Sequence, residues 1–195
     1  YNRFRGASGT ERDFAAMKFI AVGEELLAAD RRAATLTPVQ NTEAADRAII
    51  RARQLLDALL GVSVPDPDRA QSTLELCRTL ASVAGISLED QEAELTYREL
   101  QIELARGRFD MARQVVDRLA KLPGAEREFM PAAERLLYRE AVTRMRNAQS
   151  EGERYEPAKD IVAFGVRIID RLTIGRKADD PTLIGVQASV ADAAY

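Results

Sequence analysis

Apolar residues return every three or four positions along almost the whole chain, and alternation of period two is nearly absent. The sequence therefore predicts helices and no sheet. The stretch ARGRFDMARQVVDRLAKLPG, residues 105–124, shows this most clearly. Phe109, Ala112, Val115, Val116, Leu119 and Leu122 fall on one helical face, and charged residues fill the other. A first helix is expected from Glu11 to Arg32, with Thr10 as its N-cap. In it Phe14, Met17, Ala21 and Ala28 share one face, while Phe19, Val22, Leu26 and Ala29 take the adjoining one. A helix apolar on two faces is expected to be sandwiched between neighbours.

Thr37 and Pro38 break the pattern. A second helix follows from Thr42 to Leu60, with Gly61 as its C-terminal cap. Asp66-Pro67 is a helix start: the carboxylate can accept free N–H groups, and proline at the first helical position loses no hydrogen bond. The third helix then runs from Pro67 to Ala84 and stops at Gly85. Ser87 opens a fourth, buried through Ala93, Tyr97, Leu100 and Leu104 and ending at Gly107. A fifth spans Phe109 to Leu122. A sixth runs from Pro131 to Gln149, with an irregular first turn from Glu126. SEGERYEP reads as a turn before a seventh helix, Tyr155 to Leu172. Asp180-Pro181 repeats the start signal and predicts a short last helix to Ala193. The expectation is a single all-α domain over 1–195 with seven or eight helices; residues 1–10 are open to being irregular, and 175–195 holds either the short last helix or a mobile tail.

Composition narrows the chemistry. Hydrophobic residues at 46% and a net charge of −3 place the chain among globular rather than disordered proteins. Basic and acidic residues intermingle, so no stripe tracks phosphates and nucleic acid is not an expected partner. Only Lys18, Lys121, Lys159 and Lys177 are lysines among 28 basic residues, which leaves 24 arginines. That bias fits a GC-rich bacterial coding sequence, and it also supplies groups that bind carboxylates bidentately. There is no histidine, which removes the commonest general base and metal ligand. Cys77 is the only cysteine and lies in line with Ala70, Leu74 and Ala84, the placement of a buried, inert thiol. No metal or cofactor is expected. Glu89, Asp90, Glu92 and Glu94 cluster at a helix start and complement its dipole. Asp179-Asp180 is a cap without a third ligand, and Gly6 and Gly9 lack the strand and Lys-Ser/Thr pair of a phosphate loop. Tyr97, Tyr138 and Tyr155 are expected in the core.

No run of apolar residues is long enough to span a bilayer. The first residue is Tyr rather than Met, as in a processed or excised chain, and YNRFRG would suit a segment just outside an upstream membrane anchor. The compartments that fit are the bacterial cytoplasm and the periplasmic side of a membrane.

The chain also repeats itself. GRFDMARQVV from Gly107 aligns with GERYEPAKDIV from Gly152: Phe109 meets Tyr155, Ala112 meets Ala158, and Val115 and Val116 meet Ile161 and Val162. Fixed-period self-similarity of this kind marks stacked helical hairpins, each too small to bury its own stripe. The segment from Tyr97 to Pro123 resembles a tetratricopeptide repeat. Tyr97 and Leu100 are similar to the large residues of that family's first helix. Gly107, Phe109 and Ala112 are similar to the turn glycine, aromatic and small residue that open its second. The turn before Gly107 is a residue short, Leu119 stands where the family has a small residue, and the spacing exceeds the family's period of 34. The resemblance implies stacked antiparallel hairpins in a right-handed superhelix that binds a peptide or protein partner. Its groove would be lined by first helices, here through Arg98, Ile102 and Arg106 on one and Arg139, Thr143 and Arg146 on another. So many arginines would suit an acidic partner. A non-catalytic scaffold or adaptor is the expected function. An all-α ligand-binding protein or enzyme using Asp, Glu and Arg, and a structural homo-oligomer, are the alternatives.

Overall fold

The computed structural model describes residues 9–34, 38–173 and 180–194. The opening YNRFRG, Gly6, Thr37 and Asp179 lie outside the described residues. Among the described residues the chain is all-α, with no strand. Nine α-helices follow in order: α1 Gly9–Ala34, α2 Pro38–Leu60, α3 Pro67–Ala84, α4 Glu92–Ala105, α5 Phe109–Leu119, α6 Ala125–Glu128, α7 Met130–Asn147, α8 Glu151–Thr173 and α9 Pro181–Ala194. Contacts group the chain into two compact units, Tyr1–Met111 and Ala112–Tyr195, where the sequence reading takes 1–195 as one domain.

Capping follows local chemistry. The Asp66 carboxylate accepts the Arg69 N–H at 3.1 Å, and Asp180 accepts those of Thr182 and Leu183 at 2.9 and 3.3 Å. Both Asp-Pro signals therefore start helices as expected. Gly85, at φ 67°, closes α3 through its N–H to Ala81 and Ser82 carbonyls, a left-handed conformation that favours glycine. Ser87 accepts the Glu89 N–H at 3.3 Å and opens a 3-10 turn, Glu89–Gln91, before α4. Two expected caps fail. Thr10 lies inside α1, which begins at Gly9, and Gly61 does not adopt the left-handed conformation. The turn read in SEGERYEP is also helical. Residues 151–156 are exposed there, and burial of α8 begins only at Pro157.

In the first unit, α1 packs on α2, α2 on α3, and α3 on α4, with a further contact between α2 and α4. Leu55, Leu56, Leu59, Leu74, Leu95 and Ile102 are buried together, each worth about 1.5–3 kcal/mol. Polar partners show the helix directions. Asp13 near the start of α1 accepts from the Ser63 N–H and hydroxyl at 3.0 and 2.6 Å, just past the end of α2, and Asp30 near the end of α1 pairs with Arg51 at 2.5 Å. Successive helices therefore run antiparallel here. Arg53 pairs with Glu94, and Asp57 pairs with Arg98, both across 41 residues, so α2 and α4 run parallel. Cys77 is buried, and burial pushes its thiol up to about 12.

In the second unit, α7 packs on α8 and α8 on α9. Ala133, Leu137 and Ala141 of α7 are buried, as are Ile161, Phe164 and Ile168 of α8 and Leu183 and Val186 of α9. Gly165 lets α9 approach: a Cβ there would lie 2.3 Å from Val190 Cγ2 and 3.4 Å from Tyr138 Cε2.

Two further expectations change. α1 is not sandwiched within its unit. Ala16, Ile20 and Leu27 are buried, while Phe14, Met17, Val22 and Leu26 are exposed. Tyr155 is 64% exposed whereas Phe109 is buried, so the 46-residue alignment pairs side chains that the fold treats differently.

Candidate functional site

The six predicted contact residues divide between the units, and the two groups fare differently. Ile102 is fully buried in the first unit's core and cannot offer its side chain to a partner, which corrects its place in the expected groove. The cause is that α4 touches both α3 and α2, so it buries two sides: Ala93, Thr96, Leu100 and Glu103 on one, Leu95 and Ile102 on the other. Arg98 is held by Asp57 and Gln101, with Glu94 at 3.8 Å. Arg106 reaches Asp68 at 2.8 Å and Glu103 at 3.9 Å. These two arginines tie α4 to α2 and α3.

On α7 the pattern is open. Pro131 in its first turn costs no hydrogen bond. Met130, Ala133, Glu134, Leu137 and Ala141 form the inward stripe. At 3.6 residues per turn, Arg135, Arg139, Thr143 and Arg146 fall on the opposite side, and all four are exposed. The Thr143 hydroxyl donates to the Arg139 carbonyl at 3.0 Å. Among the described residues, no ion pair engages the guanidinium of Arg135, Arg139 or Arg146. Arg135 and Arg139 stand one turn apart, where like charges repel by a few tenths of a kcal/mol. Arg135 is a member of this face that the groove analogy passed over. Its signal was its position four residues before Arg139.

Three carboxylates missed by the sequence reading are buried: Glu103, Glu134 and Asp160. Glu103 is gripped by Arg108, whose Nε lies 2.7 Å from one oxygen and whose Nη2 donates to the other at 2.8 Å. Glu134 faces Arg171 Nε at 3.1 Å and Arg167 Nη1 at 3.7 Å. Arg171 also pairs with Glu126 at 2.6 Å. Asp160 has Arg113 Nη1 at 3.5 Å from one oxygen, and its other oxygen has no hydrogen-bond donor among the described residues. Burial pushes the Asp160 carboxyl above its usual 3.8, against the pull of Arg113. The available signal was that each falls within an apolar stripe of its helix.

Among the described residues, two clefts open to solvent. One of about 510 Å³ in the first unit lies over Leu55, between Leu27 and Ala28 of α1 and Leu76 of α3, and Glu24 and Arg69 pair across it at 2.5 Å. One of about 460 Å³ in the second unit is lined by Glu140, Thr143, Arg144, Glu153 and Glu156. Asp160 does not line it. Among the described residues, no group of three acidic or sulfur ligands could hold a metal, and no helix is long and apolar enough to cross a membrane. Comparison with known proteins gives no matching family model, no matching curated protein and no matching solved structure.

Proposed function

We propose that this protein is a helical scaffold that binds an acidic segment of a protein partner through the outward face of α7. The observation that carries the reading is the line of Arg135, Arg139 and Arg146, exposed and without a carboxylate partner among the described residues. Guanidinium groups in such a row gain more from a partner's carboxylates than from water alone. Thr143 between them adds a hydroxyl at the edge of the cleft on the same unit. The parallel placement of α2 and α4 with α3 packed between them supports a tetratricopeptide-like arrangement. Its 41-residue spacing departs from that family's 34, as does the burial of Ile102 where the family's groove would lie.

The test is capture of partners from native lysate on wild type beside an Arg139→Glu/Arg146→Glu variant, with added salt as a second axis. A partner held by the wild type, released by salt and lost by the still-helical variant is the expected result. A partner retained equally by both proteins would move the binding face elsewhere. Arg98→Glu is unsuited to this experiment, because it sets a third carboxylate beside Asp57 and Glu94 and would confound binding with folding.

A further inference from the structure

The apolar side of α1 that its own unit leaves open has a charge pattern that names its occupant. At about 100° per residue, Ala16, Ile20 and Leu27 form the buried side, and Phe14, Lys18, Ala21, Val22, Glu25 and Ala29 lie opposite. Phe14 is 57% and Val22 55% exposed, with Met17 and Leu26 exposed at the flanks. Glu11, Lys18, Glu25 and Arg32 recur every seven residues, so they stack in one line along that side. Glu24, next to Glu25 in sequence, lies off this line and pairs with Arg69.

We propose that this face pairs with the same face of a second copy of the chain, the two α1 helices running antiparallel about a two-fold axis between Ala21 and Val22. Residues equidistant from that point meet across the axis. Lys18 then meets Glu25 and Glu11 meets Arg32, and symmetry makes each meeting occur twice. Phe14, the largest side chain of the face, meets Ala29, among the smallest, and Ala21 meets Val22. A parallel pairing in register would set Lys18 against Lys18 and Glu25 against Glu25. The charge line thus selects both the partner and its direction, as charged and polar positions do in paired helices. The two-faced apolar pattern of α1 is accounted for by one layer from its own unit and one from the second copy.

Sedimentation of the whole chain over a concentration series tests this, with far-UV circular dichroism to verify helix content. The wild type is expected in monomer–dimer equilibrium. Lys18→Glu and Glu25→Lys each bring like charges together and are expected to raise the dimer Kd more than about tenfold. The double variant, Lys18→Glu with Glu25→Lys, restores opposite charges and is expected to recover the dimer. All three are expected to keep their fold, since both residues are exposed away from the packed side. A wild type that stays monomeric at every concentration overturns the proposal. So does a dimer indifferent to the single swaps, or a helical double variant that stays monomeric.

Discussion

The two units share interhelical arginine pairs but differ in one helix each. In the first, Arg53, Arg98 and Arg106 point between helices and meet Glu94, Asp57 and Asp68. In the second, Arg167 and Arg171 turn toward a buried glutamate, while Arg135, Arg139 and Arg146 of α7 point outward with no carboxylate partner among the described residues. The same residue type at similar spacing thus ties helices together on α4 and stands in solvent on α7. The difference lies in how many sides of each helix are buried: α4 buries two and α7 a single stripe. Ala93, Leu100 and Glu103 face one way on α4 and Leu95 and Ile102 the other, whereas the side of α7 opposite Ala133, Leu137 and Ala141 is exposed.

The largest effect expected from breaking this contrast is at Glu134. Arg171→Ala would leave a carboxylate, itself 1% exposed, facing only the more distant Arg167. Removing one partner of a buried pair costs about 3–5 kcal/mol, and the remaining Arg167 should hold the loss near the lower end of that range. Glu134→Leu should cost far less, or stabilise, because it removes the charge together with its desolvation penalty. Urea unfolding of both variants checks the pair.

Gly165→Ala is expected to destabilise the second unit by about 1–3 kcal/mol through overpacking against Val190, partly offset by alanine's better helix propensity. A gain in stability would show that α9 gives way at little cost.

The smallest effects are in pH dependence, and the units differ in sign. The Ser63 hydroxyl, and then its backbone N–H, hold the Asp13 carboxyl below its usual value of 3.8. Its contribution to stability is present above the unfolded value and is lost as pH falls through the folded one. Burial raises Asp160, so its charge opposes folding at neutral pH, and that penalty lifts as pH falls through the raised value toward 3.8. Asp13→Asn should therefore lower stability at neutral pH, and Asp160→Asn should raise it. Both should converge on the wild type in acid. Urea midpoints measured from pH 3 to pH 8 would reveal either sign.

Much of the fold was legible because helix starts and stops are local chemistry. Asp66-Pro67 and Gly85 bracket α3 at the residues expected, and the Asp180-Pro181 start holds for α9. Ile102 was misplaced because a single stripe was assumed for α4, and only tertiary contacts reveal its second buried side. Tyr155 was misplaced because burial of α8 begins only at Pro157, so an aromatic at a repeat-like position remains in solvent. Of the α7 face, the resemblance pointed to Arg139, Thr143 and Arg146, which are exposed, and passed over Arg135. The buried carboxylates required knowing which Arg side chains could reach them, Arg108 from the turn after α4 and Arg113 and Arg171 from other helices.

The most direct test of this division is urea unfolding of Arg98→Ala/Arg106→Ala beside Arg139→Ala/Arg146→Ala and wild type. The first variant is expected to unfold at lower urea, having lost the ties from α4 to α2 and α3. The second is expected to coincide with wild type, since its arginines tie nothing. Equal midpoints for all three, or a larger loss in the α7 variant, would contradict the assignment of α4's arginines to the fold and α7's to a partner.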